Sequence, residues 1–255
     1  MGQPVIDTKY NQCVVGGDQG YFSWYGLNSK DLLALTFIAH PPAGIYQFLQ
    51  PRPAYDPGRG RIYMTQSTAG QLEVQVLDCG TRAVAGDYTH PGRLGGAGAY
   101  CPVNDTLYLV NAETYSGARE FHTWNPSTNV FTIDAPTAPL TSSPVSNIWF
   151  LPGINLIAVQ NGNSVQFFDP TSANALIGTA TNTGTVVDIC YNSCNGLIYI
   201  CSGAAGISRR DPANAFVFSA TSFSTATHYA SLNFDPASNR IFAVAQGSWQ
   251  IDTGV

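Results

Sequence analysis

The sequence predicts an all-β protein built from repeated four-stranded sheets, and three observations predict it. Charge is scarce, strand and turn residues are abundant, and two separate markers recur along the chain with one shared period. Of 255 residues, only 11% are Asp, Glu, Lys or Arg, less than half of the roughly 25% usual in a soluble domain. Lys and Glu together number five (Lys9, Lys30, Glu73, Glu113 and Glu120). Exposed helix faces are made of these residues, so long amphipathic helices are excluded. In their place stand 25 Gly, 16 Pro and 13 Tyr, with many Ser, Thr and Asn, the residues of strands and turns. Hydrophobic residues at 44%, 12% of the chain being aromatic, supply a core and exclude intrinsic disorder.

The first marker is an aromatic residue followed by a short turn and an apolar strand. It reads Tyr55-Asp56-Pro57 then Arg61-Ile62-Tyr63-Met64, and Tyr100-Cys101-Pro102 then Leu107-Tyr108-Leu109-Val110. It continues as Phe150-Leu151-Pro152 then Leu156-Ile157-Ala158-Val159, Tyr191-Asn192-Ser193 then Leu197-Ile198-Tyr199-Ile200, and Phe234-Asp235-Pro236 then Arg240-Ile241-Phe242-Ala243. The anchors are spaced 45, 50, 41 and 43 residues apart. One step back from Tyr55 lands on Tyr10, which makes six units. The second marker is a strand ending in an Asp or Asn turn, at Asp78, Asn125, Asp169, Asp211 and Asp252, each 18 to 25 residues after its anchor. In the first unit the equivalent is Trp24-Tyr25-Gly26-Leu27-Asn28. An Asx side chain caps such a turn, and a Pro after it stops the strand.

Each unit then reads as four strands: one before the anchor (Ala97–Tyr100, Val186–Cys190), one after its turn, one into the Asx turn, and a fourth. The fourth is Val130–Ile133, Ala175–Gly178 or Phe216–Phe218 where it is plainest. Four strands in a repeat of 40 to 50 residues is the arithmetic of a β-propeller. Residues 1–255 are therefore expected to form a single six-bladed β-propeller domain of antiparallel blades, anchored near Tyr10, Tyr55, Tyr100, Phe150, Tyr191 and Phe234. The count comes to 23 strands, where six full blades need 24, because the last unit ends after its third strand. The spare segment Gln3–Thr8 can be the first strand of unit one or the last strand of unit six. The expectation is a ring closed by this N-terminal segment pairing with the 240–252 region.

Tyr-Asp-Pro, a spacer and Arg-Ile-Tyr, with a later strand ending in Asp-Pro, resembles the YVTN-type propeller repeat; the best copies are 55–64 and 231–244. The resemblance implies the fold and leaves function open, since that superfamily hosts enzymes, binding modules and structural proteins.

Net charge is −5 and the only basic pair is Arg209-Arg210, so a phosphate-binding surface and a nucleic-acid partner are not expected. No apolar run reaches the roughly 20 residues that span a bilayer. Met1–Asp7 has neither a basic nor an apolar region, so no secretory signal is visible. Six cysteines (Cys13, Cys79, Cys101, Cys190, Cys194, Cys201) form no C-x2-C pair, and buried free thiols are expected rather than zinc.

No catalytic residues are assigned. His40 and His90 precede prolines and read as loop residues, His122 and His228 carry no motif, and the common nucleophile, metal and phosphate motifs do not occur. Gly95-Gly96-Ala97-Gly98 leads into a strand and reads as a turn. The metal-dependent lactonases, the enzymes most often met on six-bladed propellers, place a Glu near the start of the first blade; residues 1–72 hold no Glu. Asp188 is the one acidic residue inside an apolar first strand. Two readings of it stay open: a channel-facing ligand for a metal such as Ca²⁺, or a hydrogen-bonding link to a neighbouring blade. Asp56, Asp169, Asp211 and Asp235 read as turn caps. Trp24-Tyr25, Tyr115, Trp149 and Trp249-Gln250 are the candidates for stacking on a cell-surface glycan.

The expected function is thus a non-catalytic propeller scaffold for protein assembly or surface recognition. Its partners would be other protein subunits in a larger assembly. The low charge further points to a virion (phage) structural, decoration or receptor-binding protein. A metal-dependent hydrolase with a central-channel site and a carbohydrate-binding propeller are the alternatives.

Overall fold

A computed structural model describes residues 5–16, 22–26, 36–39, 53–68, 71–90, 97–110, 121–134, 147–181, 183–202, 206–221, 229–235, 237–245 and 248–252. The chain divides into two compact units, Met1–Ala135 and Pro136–Val255, and each holds three antiparallel sheets whose strands follow one another in chain order.

In the first unit, sheet one is β1 (Val5–Asp7), β2 (Gln12–Gly16), β3 (Phe22–Gly26) and β4 (Thr36–Ala39). Sheet two is β5 (Ala54–Asp56), β6 (Arg61–Thr68), β7 (Gln71–Asp78) and β8 (Ala83–His90). Sheet three is β9 (Gly98–Cys101), β10 (Thr106–Val110), β11 (Phe121–Asn125) and β12 (Val130–Asp134). In the second unit, sheet four is β13 (Ile148–Leu151), β14 (Leu156–Asn161), β15 (Ser164–Asp169) and β16 (Ala175–Ala180). Sheet five is β17 (Asp188–Asn192), β18 (Leu197–Cys201), β19 (Ile207–Asp211) and β20 (Val217–Thr221). Sheet six is β21 (Tyr229–Asp235), β22 (Arg240–Ala245) and β23 (Ser248–Asp252).

Burial tells the two edges of a sheet apart. The first strands of sheets three and four are enclosed, with all four residues of β9 and three of four in β13 buried. Second strands are apolar and covered on both faces, most fully in β14, where all six residues are buried. The fourth strands of sheets two to five are more open, with Val84, Val130, Ile177 and Val217 exposed. Neighbouring blades share their core: Trp149, Phe167, Ile198 and Phe216 pack in one cluster across sheets four and five, and Tyr63, Leu107 and Trp124 in another across sheets two and three. The rings of Tyr63 and Trp124 meet edge to face at 5.4 Å.

Each first-to-second hairpin ends on a left-handed residue just before the second strand: Asn11, Gly60, Asp105, Asn155, Gly196 and Asn239. Only Gly, Asn and Asp occupy these six positions, the residues that tolerate that conformation. The Asx caps read from the sequence close the turns. Asp56 Oδ1 accepts from the backbone N–H of Gly58 (2.9 Å) and Arg59 (3.1 Å). Asp78, Asn125, Asp169, Asp211 and Asp235 each accept from the residue two positions on.

Three placements differ from the sequence expectation. Of the two positions open to residues 3–8, β1 takes the first: Val5, Ile6 and Asp7 pair with Val14, Cys13 and Gln12. The expected pairing with 240–252 is not among the ladders of the described residues, where β22 pairs with β21 and β23. Tyr10 is not the counterpart of the other anchors, which all lie in first strands; it sits in the turn after β1, and by register Ile6 occupies the place of Tyr55. Its ring instead lies over the turns of sheet two, where a Cβ on Gly60 or Gly80 would come within 2.6 or 2.8 Å of it. Finally, Phe216 precedes the fourth strand of sheet five. After a 3-10 turn at Pro212–Asn214, Ala215 and Phe216 are both left-handed (φ 50° and 59°), which turns the Phe216 ring inward.

Candidate functional site

Asp188 opens β17 and is fully buried. Its Oδ1 accepts from Trp149 Nε1 at 3.1 Å and from the backbone N–H of Ile189 at 2.8 Å. Oδ2 accepts from the backbone N–H of Leu232 at 2.7 Å. These donors stand on β13, β17 and β21, the first strands of three successive blades. One carboxylate therefore ties sheets four, five and six, because charge-assisted acceptance from N–H donors is strong where water is excluded. Among the described residues, no group of three His, Cys, Asp or Glu side chains is placed to hold a metal ion.

Between sheets two and three the link is ionic. Arg59, in the turn after β5, is bidentate on Asp105, with Nη1–Oδ1 and Nη2–Oδ2 both at 2.7 Å, and also pairs with Asp56 Oδ2 at 2.7 Å. Tyr100 and Ser127 donate to Asp105 at 2.8 and 2.6 Å, and Tyr63 donates to Asp56 at 2.8 Å. Hydrogen bonding from Arg59 holds the Asp105 carboxyl down at about 2. Burial pushes Asp56 up, but the bonds from Arg59 and Tyr63 outweigh it and its pKa is lowered. Between sheets one and two, Tyr55 donates to Asp7 Oδ1 at 2.6 Å. Burial, aided by that bond, pushes the Tyr55 phenol up to about 12, so it remains a donor.

A cleft of about 500 Å³ opens in the second unit beside β16, β19 and β20. Thr179, Thr181, Thr183, Ser202 and Ser208 line it with hydroxyls, and Arg210 supplies its charge. Phe216 and Phe218 form its apolar wall. Phe216 stacks on Phe167 with ring centres 4.3 Å apart and planes 8° apart. That stack occupies the space above Gly178, where a Cβ would stand 2.2 Å from the Phe216 ring. Arg210 is 5% exposed; Nη2 donates to Thr181 O at 3.1 Å and the guanidinium lies 5.0 Å from the Phe218 ring centre. Burial lowers its pKa.

The remaining sequence candidates scatter. His90 ends β8 rather than lying in a loop, since the strand runs up to Pro91 before it stops. His122 is buried on β11. His40, His228 and Tyr115 lie outside the described residues, as do the side chains of Trp24, Tyr25, Trp249 and Gln250. Trp149 is buried and bonded to Asp188. All six cysteines are free thiols; Cys13, Cys79, Cys101 and Cys201 are buried, Cys190 is half-buried and Cys194 is exposed. Burial raises the Cys13 and Cys101 pKa values. No helix among the described residues is long and apolar enough to cross a membrane. Sequence reasoning missed the cleft: Thr179, Thr181 and Thr183 alternate visibly, but nothing in the chain reveals that Ser208 and Arg210 face them.

Six sheets of this pattern define the class: the chain is an all-β protein of the β-propeller type. Among solved structures it is similar to a propeller chain in the "Crystal Structure of Mitotic Checkpoint Complex", with a TM-score of 0.69 at 12% identity, covering 95% of this chain and 70% of that one. At that identity the likeness is one of fold. No protein-family profile and no curated protein matches the chain.

Proposed function

We propose that the chain is a non-catalytic propeller scaffold, one domain across residues 1–255, that joins other protein subunits through its fourth strands. The observation that carries this is the make-up of those strands. Val84, Val130, Ile177, Val217 and Phe218, on β8, β12, β16 and β20, are 40 to 53% exposed. The five fourth strands contain no Lys, Arg or Pro, and their only acidic residues are Asp87 and Asp134. Open sheet edges are normally blunted by such charges or by Pro; apolar edges without them favour association. The complex that contains the similar propeller chain is in keeping with protein partners.

Light scattering on the purified chain tests this. The expected result is association that rises with concentration and is lost when Val84, Val130, Ile177 and Val217 are all changed to Lys. A monomer at every concentration, unchanged by the four lysines, would contradict it. The finer readings, a YVTN-type repeat and a virion structural, decoration or receptor-binding protein, rest on the 55–64 and 231–244 motifs and on the 11% charged composition. A second reading places Ca²⁺ at Asp188; it requires a Tm that rises with Ca²⁺ and falls with EDTA.

A further inference from the structure

Among the described residues the Arg210 guanidinium meets one carbonyl and the Phe218 ring but no carboxylate. Arg210 is more than nine-tenths buried, its Nε has no acceptor among the described residues, and its one hydrogen bond there is to a carbonyl. No carboxylate among the described residues pairs with it. Ser208, two residues earlier on β19, lines the same cleft, and its Oγ is buried without a partner among the described residues. Enclosing a cation without a carboxylate partner, beside a buried hydroxyl without a partner, is costly, and such groups are ordinarily paired.

We propose that this cleft binds a carboxylate-bearing sugar, its carboxylate on Arg210 and Ser208 and its hydroxyls against the row of Thr179, Thr181 and Thr183. One buried cation matches one negative charge, and the planar fork of Arg suits a carboxylate. A phosphate dianion calls for more positive charge, yet residues 136–255 hold no Lys and only three Arg, and no helix N-terminus faces the cleft among the described residues. The threonine hydroxyls donate and accept, as sugar hydroxyls require. The half-exposed Phe218 ring gives the sugar ring an apolar face. The cleft volume lies within the range of about 300–1,000 Å³ typical of small-molecule sites. The cleft shares Phe218 with the fourth strands, but its anchors Arg210 and Ser208 lie on β19, so sugar binding and fourth-strand association are read by separate variants and either can fail alone.

Calorimetric titration of the whole chain with glucuronate and N-acetylneuraminate, alongside glucose and inorganic phosphate, tests it. Binding of at least one acidic sugar is expected, with glucose and phosphate weaker by about tenfold or more. Arg210→Met is expected to abolish binding while leaving Tm unchanged or raised, which a purely structural arginine would not do. Should that variant fail to fold, Arg210→Lys and Ser208→Ala carry the test, each expected to weaken binding by about tenfold. Binding of neither acidic sugar, equal binding of glucose or phosphate, or binding that survives these substitutions would overturn the proposal.

Discussion

Asp188 receives hydrogen bonds from three first strands, and the side chain that replaces it must meet the same three donors. In Asp188→Asn one acceptor oxygen becomes an NH₂ group facing a backbone or indole N–H, inside a fully buried site. We expect a loss of roughly 3 kcal/mol in denaturant unfolding. Trp149→Phe removes one donor only and is expected to cost less. The Arg59 cluster makes a prediction in pH. Asp105 sits at about 2, below its ordinary 3.8, and Asp56 is lowered too. Carboxyls depressed by folding contribute stability that is fully present above the ordinary value and lost as pH falls through the folded one. The Tm should therefore hold down to about pH 4 and fall between about pH 4 and 2, and Asp105→Asn should flatten that fall. A wild-type Tm level across this window would contradict the assignment.

The elements of this fold are set by their ends. Asx caps, left-handed hairpin residues and prolines fix where each strand starts and stops, and burial then fixes which face is covered. The tightest inter-sheet fit is Phe216 over Gly178. Gly178→Ala should cost roughly 1–3 kcal/mol by overpacking, and Phe216→Ala in the same chain should cancel most of that added loss, read from a double-mutant cycle. Additive losses would show that the ring does not occupy the space above residue 178. The strands were largely legible in the sequence because two markers share one period and because apolar second strands have no other place than between sheets. Phe216 was not, since a 3-10 turn and two left-handed residues reversed a side chain that alternation alone would put in the strand. Tyr10 misled for a similar reason: it has the spacing of an anchor, whereas Asp7, three residues earlier, does the capping.

At the scale of the molecule, six sheets give the chain its class, while its activity is not written in any motif. Asp188 stood out in the sequence as an acid in an apolar strand, and two of its three donors could not be read there because they come from residues 39 and 44 positions away. The Arg210 cleft was hidden for the same reason. The proposed scaffold role rests on the fourth strands, which are apolar and nearly free of charge. The most direct measurement is amide hydrogen exchange, read by strand, in dilute and in concentrated protein. Strands β8, β12, β16 and β20 are expected to gain protection on association while β6, β10, β14 and β18, already enclosed, change little. Association that leaves the fourth strands unprotected, or protection that rises evenly over all strands, would contradict it.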